Sequence, residues 1–217
     1  MTTKKIGVIG SGIVGQTLAA GFVKHGFATM IGSREPAKLA GWAAAAGHGA
    51  RTGTRQETAR FGDILVLAVK GTAAVDAVHT LGAETLAGKV VVDTTSPIAD
   101  APPDNGVLSF FTSLDDSLME RLQRTAPHGR FVKAFSCVGS ALMVDPSLAG
   151  GPPTMFICGN DAAAKAEVTG ILTRFGWESE DLGAIEAARA IEPLCILWCI
   201  PGFLRNDWVH AFKLLRP

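Results

Sequence analysis

Gly10, Gly12 and Gly15 stand at the spacing G-x-G-x-x-G in IGVIGSGIVG, directly after a short apolar run and at the start of an amphipathic segment. In that context the first glycine permits a tight strand-to-helix turn. The second omits the Cβ that would collide with a pyrophosphate, and the third lets the helix approach the strand. The free N–H groups of Ser11, Gly12, Ile13 and Val14 then face the phosphates, with the positive end of the helix dipole behind them. The chemistry expected of these residues is dinucleotide binding.

At the end of the second apolar run, where an NAD site would set Asp or Glu against the ribose hydroxyls, the sequence has Gly32, Ser33 and Arg34. With the acid missing, Ser33 can donate to a 2′-phosphate and Arg34 can pair with it and stack on adenine. Lys38, one helical turn on, adds a second cation. The competing reading is that Ser33 caps the helix opened by Pro36 and Arg34 is solvated. The residue types favour NADP(H) as the cofactor.

These groups need a frame, and apolar runs of strand length alternate with amphipathic helical segments from the first residues to about Gly176. That alternation predicts an α/β fold, a Rossmann-type doubly wound, mostly parallel sheet covered on both faces. Strands are expected at residues 5–9, 28–32, 64–69, 90–92, 131–135 and 154–158. Helices are expected from 12 to 25, from Pro36 toward Gly47, after a Thr54–Glu57 capping box, from Thr72 to Gly88, from Ser113 or Asp116 through Leu114, Leu118 and Leu122, and after Asp161. A Gly- and Pro-rich loop is expected at 144–153. Because ligands of such sheets lie at the carboxyl ends of the strands, Ala68, Val69, Lys70, Thr94, Ser96 and Ala134 join the candidate cofactor-binding set. Lys70 reads equally as a surface charge. An acidic stretch at 178–181 precedes a long, Pro-interrupted helical segment over 185–215. Residues 1–176 are thus expected to form the NADP-binding domain. Residues 177–217 are expected to be a short helical C-terminal extension packed on it, as an acceptor lid or a dimer element.

Composition narrows the partners. Twenty basic and twenty acidic side chains cancel, so no net field draws nucleic acid or an anionic membrane. The N-terminal apolar run is too short for a secretory segment, and no apolar stretch reaches the roughly 18 residues of a membrane span. A cytoplasmic protein is expected. Cys137, Cys158, Cys195 and Cys199 form no CxxC pair, so neither a disulfide framework nor a metal site is indicated. Cys195 and Cys199 share a helix face and read as core thiols. His25, His48, His79, His128 and His210 are scattered without a carboxylate partner.

IGVIGSGIVGQTLA at residues 6–19, GSR at 32–34, VKAF at 132–135 and IEAARAIEPL at 185–194 together resemble the coenzyme F420-dependent NADP oxidoreductase family. That family shares its dinucleotide domain with the cytosolic part of STEAP metalloreductases. The resemblance covers nearly the whole chain. It implies hydride transfer between NADPH and a small-molecule acceptor over the nicotinamide, flavin-like or deazaflavin, with F420, FMN or FAD as co-substrate. A homodimer is expected. Such transfer asks the protein for orientation and exclusion of water more than for reacting side chains, so no catalytic residue is assigned. The chain departs from the family where many relatives carry Asn after VKAF, having Ser136 and then Cys137. These two are candidate acceptor-side residues. Glu192 is a third, although Glu186, Arg189 and Glu192 also suit ordinary intrahelical pairs. Two further readings are an imine or small-metabolite NADPH reductase and a non-catalytic NADPH-binding sensor. The first needs a further helical domain, on the order of a hundred residues, for which the tail is too short.

Overall fold

Apolar and β-branched runs form the central strands, and glycine or a capping polar side chain closes most of the helices. The computed structural model describes residues 4–47 and 49–217, so His48 lies outside the described residues. In chain order the elements are β1 (Ile6–Ile9), α1 (Ile13–Lys24), β2 (Thr29–Ser33), α2 (Ala40–Ala46), β3 (Ala50–Thr54), α3 (Arg55–Phe61), β4 (Ile64–Leu67), α4 (Ala74–Leu81), α5 (Ala83–Leu86), β5 (Val90–Asp93), α6 (Leu118–Thr125), β6 (Arg130–Lys133), β7 (Thr154–Ile157), α7 (Ala162–Arg174), β8 (Glu178–Asp181), α8 (Ala188–Ile191) and α9 (Leu194–Arg205).

Six parallel strands lie in the order β3-β2-β1-β4-β5-β6. This is the Rossmann order, with the winding direction reversing between β1 and β4. Register fixes what the reversal exposes. Ile9 lies opposite Gly32 and Leu67, Leu67 opposite Asp93, and Asp93 opposite Lys133. The residues that follow each of these, Gly10, Ser33, Ala68, Thr94 and Ala134, therefore emerge along one rim.

Alternation along the strands divides the core. Val8, Ile31, Val66, Val92 and Val132 pack with Leu18 and Phe22 of α1 and Val168 and Leu172 of α7. Ile9, Leu67, Val91 and Phe131 face the other way, onto Val78 of α4, Leu122 of α6 and Ile191 of α8. Both faces of the sheet are covered, as near-continuously apolar strands require.

Several local expectations need correction. β3 is absent from the sequence reading because ARTGT is polar. It is an edge strand paired only with β2, and an edge needs no continuous apolar run. The acidic stretch is β8, paired in parallel with β7 in a separate two-stranded sheet. That pair joins residues on both sides of 176. Among the described residues the backbone pairing of this segment with the main sheet is an antiparallel bridge between Lys133 and Cys158, next to the end of β7. α6 starts at Leu118 and not at Ser113 or Asp116, because Ser117 and Glu120 form a capping box that fixes its first turn. Leu114 is left 73% exposed. The box at Thr54–Glu57 and the cap at Asp161 form as expected.

The terminal helix also differs. It ends at Arg205, where Asn206 takes a left-handed conformation (φ 55°) and donates its N–H to the Gly202 carbonyl. Residues 206–217 run on without helix, and the Phe212 carbonyl accepts the Thr154 N–H. The apolar run is longer than expected from sequence. Ile185–Arg205 spans 21 residues with a mean hydropathy of 1.4, so by length and composition alone it reaches a membrane-spanning size, and a third of that window is buried within the fold.

Candidate functional site

The rim begins with a turn that only glycine can make. Gly10 has φ +127°, and a Cβ there would overlap the Ala68 carbonyl, while a Cβ on Gly15 would overlap the Gly10 carbonyl. A Cβ on Gly12 would meet nothing within 4 Å. Two of the three glycines are thus demanded by the fold, and the third faces open space. α1 has no side-chain cap and no acidic residue in its first turn, so its free N–H groups face that space.

Two cavities share the rim. One, about 330 Å3, is lined by Ser11, Gln16, Ser33, Arg34, Glu35, Lys38, Leu39 and Arg55. The Ser11 hydroxyl donates to Ser33 Oγ (3.2 Å), and Ser33 Oγ also accepts the Glu35 N–H (3.1 Å). Ser33 thus begins the next turn as a cap would, and its own hydroxyl proton stays available. Lys38 pairs with Glu35 at 2.8 Å. Arg34 is exposed and has no ion-pair partner among the described residues. Arg55, a lining residue that the sequence reading missed, stands at the start of α3 directly after the unrecognised β3.

The second cavity, about 420 Å3, is mostly apolar. From the expected set it gathers Gly12, Ile13, Val14, Ala68, Val69, Lys70, Thr94, Ser96 and Ser136. Lys70 pairs with Asp100, both side chains being well exposed. The Thr94 hydroxyl donates to the Leu67 carbonyl (3.0 Å) and that of Ser96 to the Ser136 carbonyl (3.2 Å), so both are spent in holding the rim together. Phe135 lines the cavity with φ +62°, a conformation rare for a large side chain. Ala134 and Cys137 are buried and line neither cavity, and burial pushes the Cys137 thiol up to about 12.

The far wall comes from α9. Cys195, Trp198 and Cys199 line the cavity and cluster with Leu108 from the long β5–α6 connection. Trp198 packs so closely on Gly139 that a Cβ there would stand 2.5 Å from the ring. Its indole N–H donates to the His210 carbonyl (2.8 Å), and the His210 ring stacks on it at 5.0 Å. The thiol of Cys199 and the hydroxyl of Ser96 beside Cys195 favour its thiolate against burial and lower its pKa.

Glu192 lies on neither cavity. It is 1% exposed and belongs to a buried charge cluster. Lys133, fully buried, meets Asp93 at 2.6 Å and Glu192 at 2.9 Å and donates to the Thr95 carbonyl at 2.9 Å. The Glu192 carboxylate also accepts the N–H groups of Leu118 and Met119 at the start of α6, both at 3.0 Å. Burial alone would pull the Lys133 pKa down, but the two carboxylates outweigh it and hold the ammonium charged. Arg189 reaches across to Glu120 of α6. The expected intrahelical pairing of Glu192 with Arg189 is therefore replaced by contacts between helices. The lysine of VKAF and the glutamate of IEPL meet each other, and sequence spacing carries no sign of that. Their pairing anchors α9, and with it the wall of the second cavity, to the end of β6.

A further cavity, about 600 Å3, lies near the amino end of β6 and is lined by Gln123, Arg124 and Arg130 among others. Arg124 is held by Asp116 and Arg130 by the Gly88 carbonyl, so these cations are already satisfied. The rim cavities, with uncommitted donors, are the stronger site. Among the described residues no group of three or more His, Cys, Asp or Glu is placed to hold a metal ion.

Comparison with known proteins agrees with this geometry. Residues 5–97 match the family model described as NADP oxidoreductase, coenzyme F420-dependent. A presumed F420-dependent NADP-reductase from Arthrobacter sp. FB24, known from its crystal structure, is 34% identical and superposes with a TM-score of 0.91, covering 98% of this chain and 100% of that one. The rat metalloreductase STEAP3 is 29% identical over 205 residues, which are 92% of this chain but 39% of STEAP3. The chain thus spans about two fifths of that relative's length. An imine reductase from Myxococcus stipitatus shares the fold alone, at 19% identity and a TM-score of 0.66 over 94% of this chain and 63% of that one.

Proposed function

We propose a specific activity for a chain that belongs to the coenzyme F420-dependent NADP oxidoreductase family: hydride transfer between NADP(H) and a flat, flavin-like or deazaflavin acceptor. An NADP-dependent oxidoreductase follows from the family. The acceptor class rests on one observation, the pair of adjoining rim cavities of opposite character. The smaller is polar and lined by Ser33, Arg34 and Lys38, which suits the 2′-phosphorylated ribose. The larger is mostly apolar and walled by Trp198, with no Asp, Glu or His on its surface.

The chain's residues fit the cofactor. The uncapped start of α1 and the open space before Gly12 would receive the pyrophosphate, and the rim from Ala68 to Val69 and Thr94 to Ser96 would support the nicotinamide end. The bound dinucleotide supplies the hydride. Trp198, Phe135 and Val138 exclude water from the second cavity and give a flat ring system a face to lie on. Imine reduction calls for a proton donor close to the reacting nitrogen, and this lining holds no Asp, Glu or His, while its Lys70 is already paired with Asp100.

Loss of NADPH absorbance, followed in separate reactions with F420, FMN, FAD, a ferric chelate and a cyclic imine, tests the reading. Turnover with F420 or a flavin is expected. Turnover confined to the imine would replace the acceptor class, and tight NADPH binding with no turnover would favour a sensor. The homodimer belongs to the same proposal and is supported by the outward apolar side chains Leu197 and Leu204 of α9. Gel filtration with light scattering reads it directly.

A further inference from the structure

Arg55 lies outside both the glycine-rich turn and the Ser33–Arg34 segment, yet it lines the same 330 Å3 cavity. Its position depends on Gly32. A Cβ there would stand 3.2 Å from Arg55 Cα and 2.8 Å from Thr58 Oγ1, so the missing side chain lets α3 close against the end of β2. The Thr54–Glu57 capping box then fixes the first turn of α3, on which Arg55 sits.

Among the described residues no hydrogen bond or ion pair reaches this side chain. Its Nε is buried without a hydrogen-bond partner. Neither Arg55 nor Arg34 has an ion-pair partner among the described residues, while Lys38 in the same cavity is already matched to Glu35. Burial and then the facing charge of Arg34 pull the Arg55 pKa down, outweighing the opposing pull of the Asp76 carboxylate. Two guanidinium groups turned toward one polar cavity repel each other, and a partly buried N–H without a partner costs free energy. Both costs disappear if the cavity receives a doubly charged anion rich in acceptor oxygens.

We propose that Arg55 is a specificity-determining residue, the second guanidinium of a two-arginine clamp for the 2′-phosphate of the dinucleotide. The inference rests on the NADP(H) reading above and extends it to a residue outside the motif. A phosphomonoester carries a charge of about −1.5 to −2 near pH 7, which matches two guanidinium groups and leaves Lys38 free to remain with Glu35. The planar forks can take separate oxygens of one phosphate.

Calorimetric titration of the full chain with 2′,5′-ADP and with 5′-AMP separates this inference from its premise, since neither probe needs a hydride acceptor. Arg55→Gln is expected to weaken 2′,5′-ADP roughly 10- to 100-fold, the loss of a charge-assisted hydrogen bond, and 5′-AMP by less than about threefold. Arg55→Lys, which keeps the charge and guards against misfolding of the first variant, should recover part of the loss. Wild-type protein that fails to distinguish the two probes overturns the NADP(H) reading and the clamp together. Wild-type discrimination that Arg55→Gln and Arg55→Lys both leave intact overturns the clamp alone. Equal weakening of both probes overturns it as well, by assigning Arg55 a structural role.

Discussion

The two sides of the rim are built by opposite means. On the cofactor side, Gly10 to Gly15 and Gly32 to Arg34 are contiguous segments whose local backbone already sets the geometry. On the acceptor side, the wall is assembled from Phe135, Ser96 and α9, brought together by a buried Asp93–Lys133–Glu192 cluster drawn from three distant parts of the chain. A site made of local turns can be read in sequence. One made of long-range contacts cannot, because nothing local encodes the partner.

The sharpest way to break this comparison lies within the glycine motif. Gly15→Ala forces a Cβ into the Gly10 carbonyl, and Gly10→Ala forces one into the Ala68 carbonyl at a positive φ. Backbone stands on both sides of each clash, so no rotamer relieves it. A loss of more than about 4 kcal/mol is expected, a fall in melting temperature on the order of 10 °C. Gly12→Ala meets open space at φ −73° and should melt within about 2 °C of wild type, while NADPH affinity drops roughly ten- to a hundredfold through the clash with ligand. If Gly12→Ala melts as early as Gly15→Ala, the division between fold-demanded and ligand-demanded glycines is wrong.

That division also explains how much was legible. The mostly parallel sheet and the Thr54 and Asp161 caps follow from patterns local to each segment. β3 escaped because an edge strand can be polar, and Arg55 escaped with it. Cys195 and Cys199 read correctly as mostly buried helix-face thiols, but their place beside the second cavity depends on the Lys133–Glu192 pair. Glu192 itself was misread because a glutamate three residues from an arginine on a helix looks like an intrahelical partner. Only the approach of β6 and α6 shows what it binds.

On the acceptor side the second-largest effect is expected from Lys133→Met. It leaves Asp93 and Glu192 as two carboxylates in the interior without a cation, and removing one partner of a buried ion pair costs about 3–5 kcal/mol. Glu192→Gln is gentler, since a neutral Lys133–Asp93 pair survives. Its signature is functional. With α9 less firmly anchored, the KM for the acceptor should rise several-fold while the NADPH dissociation constant stays within about twofold. A rise in the NADPH constant of equal size would mean the two sides are not separable.

Arg34→Ala is the mirror of that experiment. Loss of an exposed guanidinium with no ion-pair partner should leave the melting temperature unchanged. NADPH binding should weaken roughly 10- to 100-fold, with NADH binding and acceptor KM little altered. A variant that loses NADH equally would place Arg34 against the adenine or the pyrophosphate in place of the 2′-phosphate.

The smallest effect is a pH dependence on the acceptor side. Glu120 of α6 receives Arg189 through Nε at 3.0 Å and Nη2 at 2.6 Å, and also the Ser117 N–H and hydroxyl at 2.8 and 2.7 Å. Arg189 foremost, then Ser117, against the cost of burial, lower its carboxyl from 4.5 to about 2. The folded value lies below the unfolded one, so the stabilisation is complete above about pH 4.5 and is lost as pH falls toward about 2. Glu120→Gln keeps a capping acceptor but gives up the ion pair. It should lower the melting temperature by a few degrees at neutral pH, and the gap from wild type should close steadily between about pH 4.5 and 2. On the cofactor side the Lys38–Glu35 pair is open to solvent on both members, where an ion pair is worth roughly 0–1 kcal/mol. Glu35→Gln should therefore show almost no gap at any pH. A gap for Glu35→Gln as large as that for Glu120→Gln would show that the cofactor rim also depends on long-range charge contacts, and the contrast between the two sides would fail.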